Sequence, residues 1–443
     1  MNGSRRLAGL AMLAALCLMV GSAVGASAQA PAGQDAGAKP QYTMAEYNAY
    51  TAAQSTKDPA QQIKQLDDFV AKYPNSALLI YIYPLYYNAY SQLKNYAKVI
   101  EYADKLLALG DKIDPPVRYQ AYYARAYAYT NLNPQPTDPD MAKKARQAAL
   151  DGLKTLNELK KPDNMSQDDF SKAMKGPAIL FNYTAASTAM TLKDYPAAIE
   201  SNKAVLALTP DDAITSYHIG QAYMLMTPPQ QMDAFWYFAK AVTAKGANPA
   251  QSNQVKTYLR KLILNYQQAA CDNLTDAELN ELLQLAGSSA DRPSTYRLPS
   301  SADLDAARKD MTIASVITEL KAGGDKAKVT WLASCGLEFP DVPGKLIEVT
   351  PGSDTTQLKV AFVTSDAEFD AKTTPDMDVK VAGQPEAAKL EKDNPVRFTG
   401  TLLAYDPDPA FMLHWDKAKV NAEDIPKEKE KGKKKRPTTK KSQ

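Results

Sequence analysis

Cysteine and histidine are scarce in this chain of 443 residues, which has three cysteines and two histidines, His218 and His414. Three cysteines exclude a disulfide-dense scaffold. Two histidines provide few ligands for a zinc site and few groups for acid–base catalysis. The sequence also lacks a Gly-rich phosphate loop, a paired-cysteine metal motif and a Gly-x-Ser-x-Gly elbow. We therefore expect no catalytic residues, no metal and no cofactor, and we expect the protein not to be an enzyme.

The overall composition lacks a strong bias. Hydrophobic residues make up 45% of the chain and charged residues 23%, values typical of soluble globular proteins. This balance excludes a collagen, a wholly disordered chain and a polytopic membrane protein. At roughly 150 residues per domain, the length corresponds to about three domains.

The N-terminal segment has the pattern of a secretory signal. Residues 1–28 begin with two arginines, continue with an apolar run and end in small residues at Ala28. The run is shorter than the ~20 residues of a membrane-spanning helix. The pattern predicts cleavage before Gln29, a flexible linker over 29–41, and a protein that is exported to the periplasm or secreted and is soluble after signal removal.

Positive charge is concentrated at the C-terminus. Residues 427–443 contain nine Lys or Arg and two Glu, whereas 29–426 carry a net charge of −7. Such a block is typical of disordered segments that act as interaction arms, and we expect a disordered basic tail over 422–443. For an exported chain, anionic lipid, lipopolysaccharide or the acidic body itself is a better target than nucleic acid. A solubilising end without a ligand remains the alternative.

Paired amphipathic helices, separated by short turns, are predicted from 42 to 290. In the clearest unit, the small Ala198 allows close helix approach, Ile199 fills the space beside it, and Pro210 ends the second helix. In the next unit, Gly220 removes a side chain where two helices cross.

The spacing of these units resembles that of the tetratricopeptide repeat family. Ala198 and Ala234 are 36 residues apart, close to the ~34 of that repeat. Three features depart from the family pattern: Asn202 stands where a bulky residue is usual, Gly220 is the only clear glycine at its position, and the stretch 142–181 is longer than one repeat. The resemblance implies a TPR-like α-helical solenoid over 42–290, with a groove that holds a peptide or a partner protein.

Tyrosine is enriched in the first part of this region, since 13 of the 25 tyrosines lie between Tyr73 and Tyr129. Tyrosine has an apolar ring with a polar tip and suits a partly hydrated groove. Packing between helices is the alternative role. The residues that we predict to contact the partner are Tyr83, Tyr86, Tyr87, Asn88, Tyr90, Tyr122, Arg125 and Gln221.

The C-terminal third has a different pattern. A helical connector is predicted over 291–340, and short β-prone runs separated by Pro, Gly and Asp predict a small β-rich barrel or sandwich over 341–421. These runs are similar to small oligonucleotide/oligosaccharide-binding barrels. The alternative function is therefore a cell-envelope carbohydrate or lipid binder that uses this β-domain and the basic tail. Phe398, Tyr405 and Trp415 form a stacking surface in that case, or else pack in the core.

Cys271 and Cys335 are the two cysteines that remain after signal removal, and they are 64 positions apart in the sequence. Export places them where a disulfide persists. A bridge would pin the connector against the last helices of the array. Two separate buried thiols are the alternative, and the sequence leaves the choice open.

Overall fold

The computed structural model describes residues 41–132, 138–407 and 410–426. The predicted signal, nearly all of the predicted linker and the basic tail from 427 onward lie outside the described residues. The chain divides into two compact units. Of the described residues, the first unit contains 41–132 and 147–170, and the second contains 138–146 and everything from 171 onward.

The predicted fold class is confirmed, because the described residues form sixteen α-helices and a C-terminal sheet of five strands. None of these helices combines the length and the apolar content needed to cross a membrane.

The first unit is a series of helices in which each packs on the next. Their N-termini are set by local capping, for example by Asp58, whose side chain accepts a hydrogen bond from the backbone N–H of Gln61. The helices are α1 (Met44–Ser55), α2 (Pro59–Lys72), α3 (Leu79–Gln92), α4 (Tyr96–Leu107) and α5 (Pro115–Asn131), with a short 3₁₀ turn at Gly110–Lys112. Two longer helices, α6 (Pro139–Glu158) and α7 (Gln167–Thr191), contribute residues to both units.

The second unit continues with further helices that pack on their neighbours. They are α8 (Tyr195–Leu208), α9 (Ala213–Leu225), α10 (Gln231–Thr243), α11 (Pro249–Gln267), α12 (Thr275–Ser288), α13 (Ser301–Arg308), α14 (Ile313–Ala322) and α15 (Gly324–Ser334). Gly220 lies where α9 meets α10. A Cβ atom at this position would be 2.8 Å from the ring of Phe238, so the close approach requires glycine, as predicted.

The strands form a closed barrel in the order β1-β2-β3-β5-β4, in which β4 pairs back to β1. The β3–β5 pair is parallel and the other pairs are antiparallel. The strands are β1 (Glu338–Pro351), β2 (Thr355–Phe362), β3 (Met377–Ala382), β4 (Pro395–Asp406) and β5 (Met412–Val420). A short helix α16 (Asp366–Ala371) connects β2 and β3, and a 3₁₀ turn (Pro385–Lys389) lies between β3 and β4.

The connector helices pack on the barrel. Val316 of α14 and Trp331 of α15 belong to the same apolar cluster as the barrel residues Phe398 and Trp415. Cys271 and Cys335 form a disulfide, with Cα atoms 5.9 Å apart. This bond links the chain just after α11 to the residue that follows α15.

Candidate functional site

Two of the five tyrosines of α3 lie in the core of the first unit, and the other three are half-buried against it. Tyr86 is 1% exposed, and its ring stacks on that of Tyr102 with centroids 3.9 Å apart. Its hydroxyl donates a hydrogen bond to Asp67 Oδ1 at 2.7 Å. Burial and the neighbouring carboxylate raise the pKa of Tyr86. Both the ring and the hydroxyl of Tyr86 therefore have partners within the first unit.

The other residues predicted on α3 and α5 are less uniform in exposure. Tyr87 and Arg125 are buried, and the guanidinium of Arg125 pairs with the carboxylate of Asp104. The remaining four are half-buried: Tyr83, Asn88, Tyr90 and Tyr122. Tyr90 stacks on Tyr102 at 5.6 Å. The cluster thus consists mainly of contacts between helices, and the contact of these residues with a partner stays a prediction.

The eighth predicted residue, Gln221, lines a cavity in the second unit. The cavity has a volume of about 260 Å³ and lies among α7, α8 and α9. We call it the α7–α9 cavity. Its lining residues are Tyr183, Ala186, Ser187, Met190, Asn202, His218 and Gln221.

Helical periodicity brings these side chains together. The four lining residues of α7 are spaced three, one and three positions apart, and the two of α9 are three positions apart, so each set lies on one helix face. The small residues Ala189, Ala198 and Ala222 form part of an adjacent apolar cluster in which α7, α8 and α9 meet. Their size lets the three helices approach closely beside the cavity.

Asn202 gives the α7–α9 cavity its most distinctive chemical feature. The residue is 1% exposed, and its Oδ1 atom is buried without a hydrogen-bond partner. A buried polar atom in this state costs about 1–3 kcal/mol. A ligand with a hydrogen-bond donor would recover this cost, and Asn202 is therefore the side chain that most favours binding over packing.

The other polar side chains of the cavity already have contacts. Gln221 Nε2 donates to the hydroxyl of Tyr217 at 3.3 Å, and Ser187 Oγ donates to the carbonyl of Thr184 at 3.2 Å. The rings of Tyr183 and His218 lie 6.4 Å apart. No Asp, Glu, Lys or Arg is among the lining residues. The cavity therefore suits an uncharged group with both polar and apolar parts.

The sequence analysis identified one of the cavity's polar residues as a contact residue and missed the others. His218 was named only as one of the two histidines of the chain. Asn202 was noted as a departure from the repeat pattern, without a functional interpretation. That departure was the available signal, because a polar amide at a position that normally packs needs a partner.

The barrel offers different chemistry. Phe398 and Trp415 are buried in its core, while Tyr405 packs on Trp331 with ring centroids 4.8 Å apart. His414 lies between two carboxylates, with Nε2 2.8 Å from Asp406 and Nδ1 3.5 Å from Asp378. Throughout the described part of the chain, no group of three or more His, Cys, Asp or Glu is arranged to hold a metal ion.

Searches for similar proteins found no protein-family model and no curated protein that matches this chain.

Proposed function

We propose that this chain is an exported, non-enzymatic binding or scaffold protein that holds a peptide or a segment of a partner protein in a TPR-like helical array, at the α7–α9 cavity. The observation that carries the proposal is Asn202, which lines the cavity and has a buried Oδ1 atom without a hydrogen-bond partner. The close approach of α9 and α10 at Gly220 supports the repeat assignment. The disulfide between Cys271 and Cys335 supports export, because such bonds persist in oxidising compartments.

The size and chemistry of the cavity restrict the occupant. Drug-sized ligands and cofactors occupy pockets of about 300–1,000 Å³, whereas this cavity measures about 260 Å³. A single side chain with its adjoining peptide group fits this volume better than a cofactor does. Because no Asp, Glu, Lys or Arg lines the cavity, we expect an uncharged segment with an N–H donor for Asn202.

Photocrosslinking tests this proposal directly. A diazirine amino acid at Gln221 places a small reactive group in the cavity. The same amino acid at Leu225, which is 51% exposed on the same helix, is the matched control. We expect Gln221 to crosslink in intact cells to one defined segment of a partner, identified by mass spectrometry, and Leu225 not to. The added substitution Asn202→Leu should abolish the crosslink.

Equal crosslinking from both positions would show that the α7–α9 cavity does not select a partner. A crosslink from Gln221 that survives Asn202→Leu would place the partner at the cavity but remove the role of the amide. Export itself is tested by fractionation of cells that produce the full chain, in which the proposal requires a mature protein that begins near Gln29.

The basic tail belongs to the same proposal as a contact with an anionic envelope surface. The alternative function, a carbohydrate or lipid binder that acts through the β-domain, is less well supported. Its aromatic residues Phe398 and Trp415 are enclosed in the barrel core, where they cannot stack on a sugar. We therefore place partner binding in the helical array.

A further inference from the structure

A buried pair of polar side chains joins α11 to α12, away from the α7–α9 cavity. Gln267 is the last residue of α11, and Glu278 lies in the first turn of α12. They are 1% and 3% exposed, respectively. Gln267 Nε2 donates a hydrogen bond to Glu278 Oε2 at 2.8 Å. A carboxyl group is rarely buried to this extent unless it is paired with a cation or has lost its charge.

The second oxygen of each side chain has no partner. Gln267 Oε1 and Glu278 Oε1 are both buried without a hydrogen bond, and the same is true of the hydroxyls of Thr275 and Tyr296 nearby. Each unpartnered buried atom destabilises the folded state, and a charged group does so more strongly. The ionised form of Glu278 is therefore expensive at this position.

One proton on Glu278 would satisfy both free oxygens. An ionised carboxylate and an amide oxygen are both acceptors and cannot bond to each other. A neutral carboxylic acid has an O–H that the amide oxygen of Gln267 can accept, while its other oxygen keeps the bond from the Gln267 amide. In a reciprocal acid–amide pair of this kind, the two oxygens that now lack a partner bond to each other through the acid proton.

The charges that face Glu278 from the surrounding elements do not reverse its preference for the neutral form. Burial raises the pKa of Glu278, and Glu281 of α12 adds to the rise. The bond from Gln267 and the charge of Lys328 on α15 oppose it, but the net direction is upward. Lys328 is occupied by Glu281, at 3.2 Å, and so is not a dedicated counter-ion. Tyr296, from the segment after α12, faces the same pair and is itself uncharged.

We propose that Glu278 is a proton-dependent latch between α11 and α12, closed when the carboxyl group is neutral and weakened when it ionises. Gln267 precedes Cys271 of the disulfide by four positions in the sequence. Lys328 of α15 pairs with Glu281 of α12, and the same helix contributes Trp331 to the barrel cluster. Opening of the latch therefore acts on the helices that hold the barrel. The inference does not depend on partner binding at the α7–α9 cavity.

The sign of the pH dependence follows from the direction of the shift. An acid that is harder to ionise in the folded state than in the unfolded state penalises folding once the unfolded chain begins to lose its proton. The stability that the pair provides is complete below a pH near the ordinary glutamate pKa of 4.5. It decreases as the pH rises from there through the raised pKa of the folded protein.

Hydrogen exchange of the full chain, followed by mass spectrometry from about pH 5 to about pH 8, is the first test. After correction for the intrinsic pH dependence of exchange, we expect peptides from Pro249–Gln267 and Thr275–Ser288 to lose protection as the pH rises. Glu278→Gln, which keeps the shape of the neutral acid and cannot ionise, should remove this loss. Glu200→Gln, at an exposed position of α8, should retain it.

Protection of α11 and α12 that does not change with pH in the unmodified chain overturns the latch, even if Glu278→Gln fails to fold. The same loss of protection in Glu278→Gln and in the unmodified chain overturns it as well. A second measurement follows the glutamate side-chain carboxyl signals of the ¹³C-labelled chain by NMR, with Glu278→Gln as the assignment variant. The signal of Glu278 must titrate above 4.5, and titration at or below that value rejects the proposal.

Discussion

Neighbouring helices meet both at the tyrosine cluster of the first unit and at the α7–α9 cavity of the second unit. The two places differ in the hydrogen bonding of their buried polar groups. In the tyrosine cluster, the hydroxyl of the buried Tyr86 reaches Asp67, and the buried Arg125 pairs with Asp104. In the cavity, the amide oxygen of the equally buried Asn202 reaches no partner. A buried polar group that is fully bonded indicates packing, whereas one that lacks a bond in a residue lining a cavity leaves a partner for a ligand to supply.

The length of the side chain explains part of this difference. A tyrosine ring spans the apolar layer between two helices and delivers its hydroxyl to the edge, where Asp67 is exposed. Asparagine is too short to do this from a central position of α8, so its amide stays inside. The abundance of tyrosine is thus weaker evidence for a binding surface than one misplaced amide.

Tyr86→Ala should produce the largest effect and tests the packing half of this comparison. The ring is 1% exposed and stacks on Tyr102, and truncation of a buried aromatic residue costs about 3–5 kcal/mol. Urea unfolding of the full chain, combined with hydrogen exchange of peptides from α3 and α4, measures the loss. Tyr122→Ala, at a half-buried site, is the control and should cost less. A loss below about 1 kcal/mol for Tyr86→Ala would mean that the cluster is a surface and not a core.

Gly220→Ala should have the next largest effect and tests how tightly α9 and α10 pack beside the cavity. The new methyl group would lie 2.8 Å from the ring of Phe238, and such overpacking costs about 1–3 kcal/mol. Gly287→Ala is the matched control, because its methyl group would lie 3.7 Å from Thr243, an ordinary contact distance. Thermal unfolding midpoints compare the two. If both substitutions are neutral, the helices are more loosely packed than the structure indicates.

Local periodicity made much of the fold predictable. The alternation of paired helices and the change to short β-prone runs after 340 are properties of neighbouring residues. The region predicted to be β-rich, 341–421, contains β2 to β5 and most of β1. The need for glycine at Gly220 was also visible, because a missing side chain at a helix crossing has a local spacing signature. The closure of the barrel by β4 on β1 depends on pairs far apart in the sequence and was expected only as one of two β architectures.

The site was harder to predict because it depends on which residues of other helices face each side chain. Tyr87 and Gln221 look equally suited to a groove in the sequence, but Tyr87 is buried whereas Gln221 lines the cavity. The spacing of Cys271 and Cys335 allowed a bridge without requiring one, since a disulfide depends on the distance between Cα atoms. Asn202 was the exception, because its conflict with the repeat pattern was already present in the sequence.

Asn202→Leu and Tyr86→Phe should produce the smallest changes in the free energy of unfolding. Together they distinguish an unpartnered buried group from a hydrogen-bonded one. Tyr86→Phe removes one satisfied hydrogen bond and should cost about 0.5–1.5 kcal/mol. Asn202→Leu replaces an unpartnered amide by an apolar group of similar size, so the free energy of unfolding should stay the same or rise by about 1 kcal/mol. Urea titrations of both variants against the unmodified chain give the two differences. A loss of stability in Asn202→Leu would mean that the amide supports the fold. The amide would then be a packing group like Tyr86, and it would no longer be evidence for binding at the α7–α9 cavity.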